Sequence, residues 1–176
     1  MPQEANVRFY FDADILGLAH IICGLRSDCT YPGDPGAVIK RRRRPACVIT
    51  TPRETKDRDW IPVVAQNSWV VITRDSNIMD HVSLLELIKE HGLRLIALSG
   101  KDGGDPWGQL EIVLSHWRQI EALCERRGPL LMVATRTSLR QVDIGERLDV
   151  LRGLRTPTAR RRKGDVPISD DTPRLW

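Results

Sequence analysis

Two short apolar runs that each stop at aspartate dominate the hydrophobic pattern: Val7-Arg8-Phe9-Tyr10-Phe11-Asp12-Ala13-Asp14 and Trp69-Val70-Val71-Ile72-Thr73-Arg74-Asp75. Five or so β-branched and aromatic positions closed by a charge read as a strand buried on both faces, the habit of a parallel sheet. After the first run, Leu18, Ile21, Ile22 and Leu25 recur at helical spacing, predicting a helix over 15–25 with Asp14 as a candidate cap. Residues 27–36 hold Pro32, Gly33, Asp34, Pro35 and Gly36 and read as a loop, and 46–50 as a second strand closed by Pro52. A helix is expected from Asp57 or Asp59 to Asn67, with Pro62 early enough to be tolerated.

Beyond the second run the pattern predicts a helix over 83–91 ended by Gly92, a strand over 93–98, and the longest helix from Trp107 to about Arg126, stopped by Gly128-Pro129. Strands over 130–135 and 139–144, as an edge hairpin, and a short helix over 146–154 complete the series. Strands alternating with helices argue a three-layer α/β/α architecture with a mainly parallel central sheet. Open sheets of this kind place their sites beyond the carboxyl ends of the strands, so Asp12 and Asp75 are expected to share one small volume.

A chain of 176 residues suits one domain, here 1–154, able to bury roughly 70% of the surface its unfolded form exposes. Residues 155–176, with Pro157, Pro167, Pro173 and few apolar side chains, are expected to be a basic, disordered tail. No run nears the roughly 20 apolar residues of a membrane span, and the first residues lack a signal-peptide pattern, so the expected location is cytoplasmic. Cys23, Cys29, Cys47 and Cys124 show no CxxC spacing and read as reduced structural thiols. The net charge of +4 is unevenly placed. Lys40-Arg41-Arg42-Arg43-Arg44 and Arg160-Arg161-Arg162-Lys163 are cationic strips on an otherwise slightly acidic chain, suited to a polyanion or to an acidic partner.

Carboxylates stand at three element boundaries: Asp12 with Asp14, Asp57 with Asp59, and Asp75 two residues after Thr73. Convergence of three of them would cost about 4 kcal/mol per pair at ~4 Å, so such a cluster calls for a cation. An all-oxygen donor set favours Mg²⁺ or Mn²⁺, which can activate water and stabilise in-line attack on a phosphodiester. The plain alternative makes Asp14, Asp57 and Asp59 helix caps and Thr73 a simple strand former. Trp60, Trp69, Trp107 and Trp117 are expected to pack in the core or against helices rather than to stack on bases.

Phe11-Asp12-Ala13-Asp14, Thr55-Lys56-Asp57-Arg58-Asp59-Trp60-Ile61-Pro62 and Val71-Ile72-Thr73-Arg74-Asp75 resemble the motifs of the PIN-like nucleases, particularly the VapC-type toxins of toxin–antitoxin modules. The resemblance covers about residues 7–143. It implies a metal-dependent endoribonuclease in which Asp12, Asp57 and Asp75 are the metal-binding and catalytic acids, with Asp14, Thr73 and Asp59 in support. A fourth acid would be sought at Asp80, Asp102 or Asp105. The implied partners are RNA, held by Lys40, Arg41, Arg42, Arg43, Arg44 and Arg74, a cognate antitoxin protein and a second copy of the chain. The alternative is a PIN-like binding module that has lost cleavage.

Overall fold

The computed structural model describes residues 1–51 and 56–154. In chain order these form β1 (Gln3–Glu4), β2 (Phe9–Phe11), α1 (Leu16–Leu25), β3 (Cys29–Thr30), β4 (Ala37–Ile39), β5 (Arg42–Arg44), α2 (Asp57–Gln66) and β6 (Val70–Thr73). They continue as α3 (Val82–Glu90), β7 (Arg94–Leu98), α4 (Pro106–Ser115), α5 (Trp117–Ala122), β8 (Leu130–Thr135), β9 (Ser138–Val142) and α6 (Ile144–Leu151). The main sheet runs β3-β2-β6-β7-β8-β9, parallel throughout except for β9, which turns back along β8 as an edge hairpin.

Because successive strand residues point to opposite faces, each run feeds two cores. Phe9, Phe11, Val70, Ile72, Ile96 and Met132 pack with α1, α4 and α5, while Tyr10, Val71, Leu95 and Leu131 pack with α2, α3 and α6. The result is the three-layer α/β/α arrangement expected from the pattern. All four cysteines are free thiols. Among the described residues, no helix is long and apolar enough to cross a membrane. The expected tail over 155–176 and Thr55 of the second motif lie outside the described residues.

Three local expectations are corrected. Residues 46–50 alternate in burial as a strand would, with Cys47 and Ile49 inside, but their backbone bonds go to the 33–34 turn: Cys47 N–H donates to Asp34 O at 2.9 Å and Ile49 O accepts from Gly33 N–H at 2.8 Å. The long helix ends at His116, whose ring bonds the Thr135 carbonyl at 2.8 Å, and α5 restarts so that Trp117 can pack on Phe9, with ring centroids 5.0 Å apart. The basic run 40–44 is a hairpin rather than an open loop: β5 pairs with β4 and β1 in a separate three-stranded sheet, and Lys40 and Arg41 turn at φ 47° and 67°.

Arg44 leaves the cationic strip altogether. Its side chain is buried, forms an ion pair with Asp34 (Nε to Oδ2, 2.7 Å) and donates to the carbonyls of Cys23 at 2.7 Å and Arg26 at 3.0 Å. It pins the small sheet to the end of α1, and the expectation that it holds RNA phosphate is withdrawn, since its guanidinium is consumed in the interior. The same tight seat explains Gly36, which turns at φ +80°, and where any Cβ would stand 2.6 Å from the Arg44 carbonyl. Removing one member of a buried pair strands the other charge. Asp34→Ala should therefore cost about 3–5 kcal/mol in denaturant unfolding, whereas Arg41→Ala at the exposed turn should stay within about 0.5 kcal/mol.

Candidate functional site

β2 lies between β3 and β6, so the chain leaves it toward opposite sides of the sheet, and the crevice at this switch opens beyond the carboxyl ends of β2 and β6. Parallel pairing sets Phe11 opposite Ile72, and the Asp12 N–H donates to the Ile72 carbonyl at 2.9 Å. Asp12 and Thr73 are thereby neighbours although 61 positions separate them. The turn that follows β2 is a short 3-10 segment, and Asp12 Oδ1 accepts from Ala13 N–H at 2.7 Å.

Asp14 is held more closely than its supporting role suggests. Its Oδ2 accepts from the Thr73 hydroxyl at 3.2 Å and from Arg74 N–H at 3.0 Å, bridging the ends of β2 and β6. Its Oδ1 is buried with no hydrogen-bond partner among the described residues. The Thr73 hydroxyl in turn accepts from Asp75 N–H at 3.1 Å, and Asp75 Oδ1 accepts from Asn77 N–H at 2.9 Å, capping the turn after β6. On α2, Asp57 Oδ1 accepts from the Trp60 indole at 3.1 Å. The Asp12 carboxyl is pushed up to about 6 by burial first and by the Asp14 charge second, with Asp57 adding to the repulsion; the Ala13 N–H and the Thr73 hydroxyl pull the other way. Asp14 is also raised, by burial, and is repelled by Asp75.

Asp12, Asp14, Thr73, Asp57 and Asp75 thus share one electrostatic neighbourhood at the carboxyl ends of the strands. Asp59 does not enter it: it lies exposed in the first turn of α2, and Asp57 is the acid felt by Asp12. Among the described residues, no three His, Cys, Asp or Glu side chains stand close enough to hold a metal ion as they are. What fits a cation is the adjoining Asp12 and Asp14, with the orphaned Asp14 oxygen, an all-oxygen donor set and like-charge repulsion in need of a counter-ion. Of the fourth-acid candidates, Asp80 is paired with Arg147, and Asp105 caps α4 by accepting from Trp107 N–H at 3.0 Å and Gly108 N–H at 3.1 Å. Asp102 stands 3.9 Å from Arg136.

The cations divide between two poles. The hairpin residues Lys40 and Arg42 border a cleft with Asn6, Arg8, Leu25 and Arg26, at the amino end of β2 and the carboxyl end of α1. Arg8 and Asp12 are four steps apart along the strand, about 13 Å, so the hairpin lies away from the acids. Among the described residues, the exposed cations at the acid pole include Arg74, foreseen in the sequence, and Lys56, Arg58, Lys101 and Arg136, which were not. Each sits on a segment that opens or closes an element at that pole, and spacing along the chain carried no sign of it because four separate connections supply them. Trp107 is likewise misplaced by the sequence reading: it is 70% exposed.

The profile of the family described as PIN like domain matches residues 9–100, β2 through the end of β7, which is more than half of the chain. The chain belongs to that family. No curated protein and no solved structure gives a match.

Asp12 supplies a test of this electrostatic picture. A folded-state pKa near 6, above the ordinary 3.8, means that the folded protein holds the proton more tightly, so this group's contribution to stability falls as pH rises from about 4 to 6. About two pKa units correspond to on the order of 3 kcal/mol. Asp12→Asn should melt several degrees higher than the parent at pH 7 in chelator, and the gap should close as the pH falls toward 4.

Proposed function

We propose that this chain is a metal-dependent endoribonuclease that hydrolyses RNA phosphodiesters. The observation that carries the reading is the buried Asp14 Oδ1, unpartnered among the described residues, beside the buried and charge-repelled Asp12 carboxyl at the switch between β2 and β6. Asp12 and Asp14 would hold Mg²⁺ or Mn²⁺ from one side, with Asp57 and Asp75 completing the shell from α2 and the turn after β6. When bound, such an ion lowers the pKa of water and stabilises the charge that builds on the attacked phosphate. The chain's own residues do the positioning. Thr73 and the Arg74 N–H fix Asp14 Oδ2, the Ala13 N–H fixes Asp12 Oδ1, and the exposed Arg74, Lys56, Arg58, Lys101 and Arg136 draw the phosphate backbone to this pole. Lys40 to Arg43 add a remote, salt-dependent attachment that takes no part in the chemistry.

The finer reading, a toxin of a toxin–antitoxin pair with an antitoxin and a second copy as partners, is supported by the VapC-like spacing of the three aspartate motifs. A second reading is a PIN-like binding module without cleavage, favoured by the absence of three converged acids among the described residues. Cleavage of RNA with Mg²⁺ or Mn²⁺ and its loss with chelator separates the two. Asp75→Asn and Asp14→Asn should each lower the rate by at least ~10²-fold while the fold survives, since the ion supplies both nucleophile and charge stabilisation. Full activity in both would sink the assignment. Replacing Arg41, Arg42 and Arg43 by Ser should raise KM and flatten its salt dependence with kcat unchanged.

A further inference from the structure

Among the described tryptophans, Trp60 and Trp69 are buried and Trp117 is packed against the core, but Trp107 presents its ring to water. A single exposed apolar side chain is ordinary and by itself means little. Trp107 differs in where it is and how it is held. It is the second residue of α4, directly after Pro106, and a Cβ on Gly17, three residues beyond Asp14, would stand 3.2 Å from the Pro106 ring. The start of α4, which carries Trp107, therefore packs against the start of α1 at the acid pole.

Several bonds hold it there. Asp105 Oδ1 accepts from the Trp107 N–H at 3.0 Å, and the indole Nε1 donates to Glu111 Oε1 at 3.1 Å, one helical turn along. The 101–104 turn packs so closely on α4 that any Cβ on Gly108 would stand 2.0 Å from the Asp102 carbonyl, which only glycine permits. Arg136, at the end of β8, stands 3.9 Å from both Glu111 Oε2 and Asp102 Oδ2, loosely paired, with its side chain 59% exposed. A ring whose orientation is already set, sharing Glu111 with an exposed and only loosely paired cation, is a combination suited to unpaired nucleic acid: the base stacks and the guanidinium takes the backbone.

We propose that Trp107 is a nucleobase subsite, on whose indole an unpaired base of the RNA strand stacks while Arg136 takes an adjoining phosphate, laying the strand across the pole toward Asp12 and Asp14. This rests on the reading of the chain as an RNA-cleaving enzyme and adds that its substrate is single-stranded at this contact. Stacking of this kind accepts any base, so it sets strandedness rather than sequence.

The test is equilibrium binding of the full chain, in chelator, to a single-stranded oligoadenylate of about ten nucleotides and to a strand of the same length lacking bases. Trp107→Ala should weaken binding to the oligoadenylate about 5- to 100-fold, with its melting temperature near that of the parent. Trp107→Phe, which keeps a ring, should recover most of the loss. On the strand without bases, parent and Trp107→Ala should bind equally. Arg136→Gln should flatten the salt dependence by about one phosphate contact. With Mg²⁺ present, Trp107→Ala should raise KM and leave kcat unchanged. Equal affinity of parent and Trp107→Ala for the oligoadenylate, in a chain that still cleaves RNA, overturns this subsite alone. So does a loss that persists on the baseless strand, which would assign the indole another role. A parent chain that neither binds nor cleaves RNA overturns the subsite and the ribonuclease reading together.

Discussion

The parallel pairing of β2 with β6 is the constraint on which the rest of this protein depends. Both strands are buried on both faces, so each must lie inside the sheet with helices above and below, and a slip of one residue would exchange the two cores. With Phe11 opposite Ile72, the pairing of these two strands closes with the bond from the Asp12 N–H to the Ile72 carbonyl, and Thr73, still paired with Ala97 of β7, and Arg74 follow on the other strand. The hydroxyl of Thr73 and the N–H of Arg74 then both reach Asp14 Oδ2. The hydrophobic register of the core thus determines the geometry of the acids.

That geometry works against stability. Burial raises both Asp12 and Asp14, Asp12 is further repelled by Asp14 and Asp57 and Asp14 by Asp75, and one Asp14 oxygen has no donor among the described residues. A fold keeps such an arrangement only when surrounding structure over-determines it, and here the strand pairing on one side and the two donors to Asp14 Oδ2 on the other do so.

Charge is organised by pole rather than by sequence run. The most conspicuous cationic stretch, Lys40 to Arg44, is split by the fold: Arg44 turns inward to Asp34 and fastens the small sheet, while the other four residues remain on a hairpin near the amino end of β2. The cations described at the acid pole come from four separate connections, Lys56 and Arg58 sharing one, and look unremarkable in a linear reading.

The chain's own pattern determined the alternation of strands and helices, the three-layer class and the two acid-terminated strands, because burial period and strand-end charges are local properties. Tertiary structure alone decided the rest. Residues 46–50 carry strand-like alternation, yet their hydrogen-bond partners come from the 33–34 turn, and periodicity reports which side is buried without naming the partner. The break at His116 needs the Thr135 carbonyl, 19 residues on, and the central place of Asp14 needs donors from β6, so neither is written in its own neighbourhood. Trp107 lies on a helix whose apolar spacing predicts burial, but its place in the first turn, beyond the carboxyl end of β7, leaves it 70% exposed among the described residues. Exposure, ion pairing and the pole a side chain faces depend on what the fold brings alongside, and residues far apart in the chain decide that.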